Sequence, residues 1–242
     1  MIARGQEAPA ARTVPWGVLE VLAGCLAALG IFAALVVVTA LLVAALEPSE
    51  RGRTVLALLA NVCLEVLAAL AVILLVVKGR GAAPADLGFR PVPLRRLWWV
   101  PAFLATAFAV LTVYAVLVQA LGLDWLMPGE QMPPGVFDAA STVVLSAAMV
   151  VLVAPVAEEL FFRGFVFAGL VARLGVGWAA AASGLLFGLV HGQVGLILPF
   201  AMVGALLALL YHRSGSLWVP IAAHLAYNGL AFTALALMER AG

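Results

Sequence analysis

The chain has 242 residues, of which 66% are hydrophobic and 10% charged, and its formal net charge is +1. Soluble domains carry about 25% charged residues, so this composition excludes a soluble domain and specifies an all-α, polytopic transmembrane helix bundle in a lipid bilayer. The small net charge gives no sign of a nucleic-acid partner. Cys25 and Cys63 both fall inside apolar runs, which excludes a disulfide framework. Twelve of the thirteen basic residues are Arg, beside abundant Ala, Gly, Val and Leu, a usage typical of a GC-rich bacterial genome.

In chain order, residues 1–15 form a short polar arm carrying Arg4, Glu7 and Arg12. The first apolar run, 16–46, exceeds the ~20 residues needed to span and is too long for a signal-peptide core, so it reads as a retained span. A turn at 47–53 leads to a second span, 54–77, with Glu65 near its middle. The longest polar connection, 78–96, holds five basic residues, and the third span, 97–121, opens with the interfacial pair Trp98-Trp99. An acidic loop follows at 122–138. The apolar stretch 139–173 is too long for one perpendicular span, and Pro155 is expected to kink or break it. Spans at 178–191, 194–211 and 216–238 complete a bundle of seven, or eight if the fourth stretch divides. Gly184 and Gly188 form a small-xxx-small pair suited to close helix contact. No internal repeat is visible.

With seven spans and Arg163 set aside, nine basic residues fall on the N-terminal side (Arg4, Arg12, Lys78, Arg80, Arg90, Arg95, Arg96, Arg173, Arg213) and three on the other (Arg51, Arg53, Arg240). The positive-inside rule then places the N-terminus in the cytoplasm. An integral protein of a bacterial inner membrane is the expectation.

The residues that demand explanation are Glu158, Glu159 and Arg163, set in the most apolar half of the chain. An ionised group at membrane depth costs roughly 2.5–3.5 kcal/mol on insertion scales. Glu159 and Arg163, four apart on a helix, face each other and can pair, while Glu158 points about 100° away. One carboxylate is neutralised in place and the other is left free. Glu65 could instead be a protonated, hydrogen-bonded group inside the bundle, and Glu20 and His212 read as interfacial.

His191 and His224 also lie in apolar segments; Phe187 is one turn before the first and Asn228 one turn after the second. Counting at ~1.5 Å per residue puts Glu158 and His191 roughly 20 Å, and His224 roughly 14 Å, from the same face. Three helices could therefore gather Glu158, His191, His224 and Asn228, with Tyr227 beside them as packing or lining. The plain alternative is a pair of hydrogen-bonded histidines that glue the bundle.

Glu158-Glu159-x-x-x-Arg163, Phe187-x-x-x-His191 and His224-x-x-x-Asn228, in that order, resemble the three motifs of the CAAX-protease and bacteriocin-processing (Abi) family of intramembrane proteases, which includes the type II CAAX prenyl endopeptidases. The motif-bearing core covers roughly 145–235, and Leu87-Gly88-Phe89-Arg90 is similar to the usual lead-in. The resemblance implies an endopeptidase acting on a peptide or membrane-protein substrate, with residues 1–96 as an N-terminal pair plus basic loop and 97–242 as the protease core, its catalytic cavity formed by the last four helices. It implies that Glu158 activates a water with help from His191, that His224 and Asn228 stabilise the oxyanion, and that Glu159 and Arg163 support Glu158. Equally, Glu158, His191 and His224 could supply three ligands to a catalytic Zn2+ with one open position. Outside catalysis, a membrane scaffold or bacteriocin self-immunity protein, or a proton-coupled transporter, would also use such residues.

Overall fold

The computed structural model describes residues 13–129 and 132–241; Arg4, Glu7 and Arg12 of the polar arm lie outside them. The described residues are helical and contain no strand. Six helices are long and apolar enough to cross a membrane, so the chain is an integral membrane protein. One of the six, Ala140–Leu189, is 50 residues long and is broken at Gly175, whose φ of 73° only glycine adopts readily. Ser183 beyond the break bonds back to Phe162 before it, so the chain reverses there and the described residues contain seven long helices.

We label them α1 (Val18–Leu46), α2 (Glu50–Ile73, continued by wider π-type turns at Leu74–Lys78), α3 (Trp99–Ala120), α4 (140–174), α5 (176–189), α6 (Val194–Ser214) and α7 (Trp218–Ala241). The Glu20 carboxylate accepts the Gly17 N–H at 2.8 Å and caps α1, and it also pairs with Arg80. Ser49 caps α2 by accepting the Gly52 N–H at 3.3 Å.

Packing separates two environments. Residues of α4 and α5 form the core with Trp16 and Val21 from the start of the chain, Val72 and Val76 from α2 and its continuation, and Leu87 from the following loop. The amino-terminal 96 residues thus share one core with the rest. On the opposite side, Phe103 and Ala107 of α3 close over Val203 and Leu207 of α6 and Val219 and Ala223 of α7. The α5–α6 contact is the closest. A Cβ on Gly184 would strike the backbone of Ala201 and Ala205, and one on Gly188 the carbonyl of Ile197. The small-residue pair does what its spacing suggests.

The expected break at Pro155 does not occur. Helix α4 passes through it with helical dihedrals, preceded by wide turns at Ala148–Val153 and followed by wide turns at Glu159–Phe167. Proline lacks an N–H, and the wider turns absorb the lost bond while the helix continues. The carbonyls they leave misaligned still need donors in an apolar setting. Ser183 Oγ donates to the Phe162 carbonyl at 2.9 Å, and Trp16 Nε1 to that of Phe165 at 3.0 Å.

A second correction concerns the fifth span. Helix α5 ends at Leu189, and His191 lies in the turn that follows rather than within a helix. Fourteen helical residues rise about 21 Å, short of the ~30 Å hydrocarbon core. Val190 and Val194 flank the turn 65% and 57% exposed, and Gly192 and Gln193 within it are exposed as well. Gly195 lies against the Met127 carbonyl, and the 122–138 loop is tied down by bonds from Tyr114 to Leu126 O (2.7 Å) and Thr54 to Pro134 O (2.9 Å).

Candidate active site

The two adjacent glutamates have opposite fates. Glu159 and Arg163 are both fully buried, with Nη1 donating to Oε1 at 2.7 Å. The same Oε1 accepts from His224 Nδ1 at 2.8 Å. Arg163 is held further by Nη2 donating to the Gly204 carbonyl at 3.1 Å, and its guanidinium lies 4.7 Å from the centre of the Phe187 ring, a cation–π contact. Glu158 has no such partner. Its side chain keeps 13% of its surface, and Oε2 stands 3.5 Å from His224 Nε2. The free carboxylate and the neutralised one are therefore distinct.

The imidazole orientations follow from their acceptors. Glu159 Oε1 can only accept, so His224 carries a hydrogen on Nδ1 and turns Nε2 toward Glu158. His191 Nδ1 faces the Phe187 carbonyl at 2.7 Å, which likewise only accepts, so its Nε2 is the free nitrogen. The His191 ring is clamped edge-to-face by Phe187 and Phe200, with centroids 4.9 and 4.3 Å away. Phe187 also meets His224 at 5.8 Å. One ring thus joins both histidines and the guanidinium.

Asn228 sits one turn beyond His224, and its Nδ2 donates to the Val150 carbonyl at 2.9 Å. Val150 is five residues before Pro155, the register of the wide turn there, so Asn228 supplies a donor to a carbonyl whose helical partner would have been the missing proline N–H. Sequence spacing placed Asn228 on the His224 face but not against α4. Tyr227 stacks on Phe108 at 5.5 Å, a packing role. His212 meets Phe167 edge-to-face at 6.3 Å at the end of α6.

Sequence reasoning missed Trp16, Ser183 and Phe200. Only the Pro155 register carried a readable signal for a side-chain donor, and nothing in the spacing linked Trp16 to Phe165, 149 positions away.

Two imidazole nitrogens and a carboxylate are suitable donors for zinc. Among the described residues, however, no three His, Cys, Asp or Glu side chains are gathered closely enough to hold a metal ion. Phe187 contacts both imidazoles, and the arrangement does not fit a closed ligand set.

Residues 140–230 match the model of the Rce1-like family, the type II CAAX prenyl endopeptidases. This range contains all seven motif residues and agrees with the 145–235 core expected from the motifs. The chain is 28% identical over 137 residues to "Putative membrane peptidase YdiL" of Bacillus subtilis (strain 168), covering 57% of this chain and 55% of that protein. It thus spans about half the length of that curated relative. No solved structure matches. The stretch that runs from the start of α4 into α7 is thus similar to the type II CAAX prenyl endopeptidases and to a membrane peptidase.

Proposed function

We propose that the protein is an intramembrane endopeptidase in which Glu158 is the general base. The observation that carries this reading is the division of labour between adjacent glutamates: Glu159 is consumed by Arg163 and His224, and Glu158 remains accessible in front of His224 Nε2. In the proposed step a water lies between Glu158 and His191 Nε2. Its oxygen attacks the scissile carbonyl carbon as Glu158 takes a proton. Desolvated surroundings strengthen each of these interactions.

Doubly protonated His224 would donate Nδ1–H to Glu159 and Nε2–H to the developing oxyanion. Asn228 spends one Nδ2 hydrogen on Val150 and keeps the second for the same oxyanion. Glu159 and Arg163 hold His224 in place.

The substrate class is a peptide, or a membrane-associated protein segment, presented in the bilayer. The excess of basic residues on the N-terminal side supports a cytoplasmic N-terminus in a bacterial inner membrane. The test is cleavage of a fluorogenic peptide library, prenylated and unmodified, by wild-type protein and Glu158→Gln in detergent, with and without a zinc chelator. Chelator-resistant cleavage that disappears in the variant is the expected result. Cleavage abolished by the chelator would replace the metal-free step with a zinc-assisted one, and equal activity of the two proteins would refute the assignment of Glu158.

A further inference from the structure

The proposed step leaves one proton unassigned. Amide hydrolysis expels an amine, and an amide nitrogen departs poorly unless it is protonated as the C–N bond breaks. Glu158 has just received the water proton. Glu159 and Arg163 are locked together, and His224 is occupied with Glu159 and the oxyanion.

One further carboxyl faces the site. On α2, the buried positions Thr54, Leu58 and Val72 fall within about 40° of one another around the helix axis, and Glu65 lies inside that arc. Glu65 is thus on the inward stripe of α2 although its neighbours Cys63, Val66 and Leu67 are exposed. That stripe packs along α4, against Ala154–Glu158 and against Glu159–Phe167. The stretch of α4 that α2 meets there includes Glu158. Glu65 makes no hydrogen bond or ion pair with another described residue. A carboxyl on an inward face, near mid-span and without a cation, has no structural partner to justify its cost.

We propose that Glu65 is a further catalytic residue, the general acid that protonates the leaving amide nitrogen. This rests on the reading of Glu158 as base. Water oxygen bonds to the carbonyl carbon while its proton passes to Glu158. The tetrahedral intermediate then collapses as the C–N bond breaks, and the Glu65 carboxyl proton passes to nitrogen. The products are a carboxylic acid and an amine. Transfer of the Glu158 proton to neighbouring Glu65 restores both groups. Glu65 lies outside the matched stretch 140–230, so this proton donor comes from a part of the chain distinct from the motif-bearing core.

The discriminating experiment compares two substrates of one sequence: the best-cleaved library peptide, and its thiodepsipeptide, in which sulfur replaces the scissile nitrogen. A thiolate leaves without a proton. General acid catalysis contributes about 10²–10⁴-fold, so Glu65→Gln should lower kcat on the peptide by at least about 100-fold and on the thioester by less than about threefold, with KM unchanged. Losses on the two substrates that agree within about tenfold would overturn the proposal, because damaged structure would slow both. Glu158→Gln should lose both substrates alike. If wild-type protein cleaves neither, the endopeptidase reading itself fails. Should Glu65→Gln not fold, Glu65→Ala with added formate serves instead. Recovery of peptide cleavage without change on the thioester is then expected, and no recovery overturns the assignment.

Discussion

Helices α1 and α6 make an instructive pair. The most apolar window of α1 has a mean hydropathy of 2.8 and is 0% buried, whereas that of α6 has 2.3 and is 44% buried. The more apolar helix is the less enclosed. In a bilayer, hydropathy reports only that a segment can face lipid tails, because those tails are as apolar as leucine. Burial is decided by close approach and polar bonds. Helix α6 has Gly204, which meets Gly184, and a backbone carbonyl at Gly204 that accepts from Arg163. Helix α1 is joined to the core mainly at one end, through Val21, Gly24 against the Phe165 ring, and nearby Trp16.

That contrast orders the expected effects of substitution. The largest falls on the buried ion pair. Arg163→Ala would leave Glu159 and the Phe187 ring without their cation, and breaking such a pair costs about 3–5 kcal/mol. Thermal unfolding in detergent should show the transition lowered well below wild type or lost. Next comes the α5–α6 contact. Gly188→Val should destabilise by about 1–3 kcal/mol through overpacking against the Ile197 carbonyl. The matching Gly30→Val on α1 meets nothing within 4 Å and should unfold with the wild-type midpoint in the same assay. If both glycine variants shift equally, the comparison between the two helices fails.

A smaller effect is expected of Asn228→Ala, which strips the donor from the Val150 carbonyl. Measured hydrogen bonds between membrane helices average about 0.6 kcal/mol, so stability should fall slightly while cleavage falls further through the lost oxyanion donor. Asn228→Asp, which accepts rather than donates, should not rescue cleavage. The smallest effect is at the lipid face. Leu29→Ala, at a residue that is 62% exposed, should change the unfolding midpoint by no more than surface substitutions do, about 0.5 kcal/mol.

The contrast also explains what the sequence made legible. Ionisable residues in apolar runs are costly enough to announce themselves, so Glu158, Glu159, Arg163, His191 and His224 were readable as a group, and the i,i+4 pairing of Glu159 with Arg163 followed from helix geometry alone. Seven helices and the close Gly184–Gly188 face were readable for the same local reasons. The fate of Pro155 was not, because the wide turns on both sides of it are a cooperative response of α4 that propensity does not encode. The place of His191 was missed because Leu189 to Val194 is apolar or neutral, and hydropathy cannot distinguish a turn from the end of a span. The contacts of Trp16 with Phe165 and of Asn228 with Val150 join positions 149 and 78 apart. Such long-range pairs exist only once the helices have packed.

The central claim is that two adjacent glutamates do different things, and one paired measurement addresses it. Glu158→Gln and Glu159→Gln would be purified side by side, and each assayed for peptide cleavage and for its unfolding midpoint. The account predicts that Glu158→Gln keeps the wild-type midpoint and loses cleavage, whereas Glu159→Gln, which leaves Arg163 buried without its counter-charge, lowers the midpoint as well. A Glu158→Gln protein that still cleaves, or a Glu159→Gln protein with unchanged stability, would contradict it.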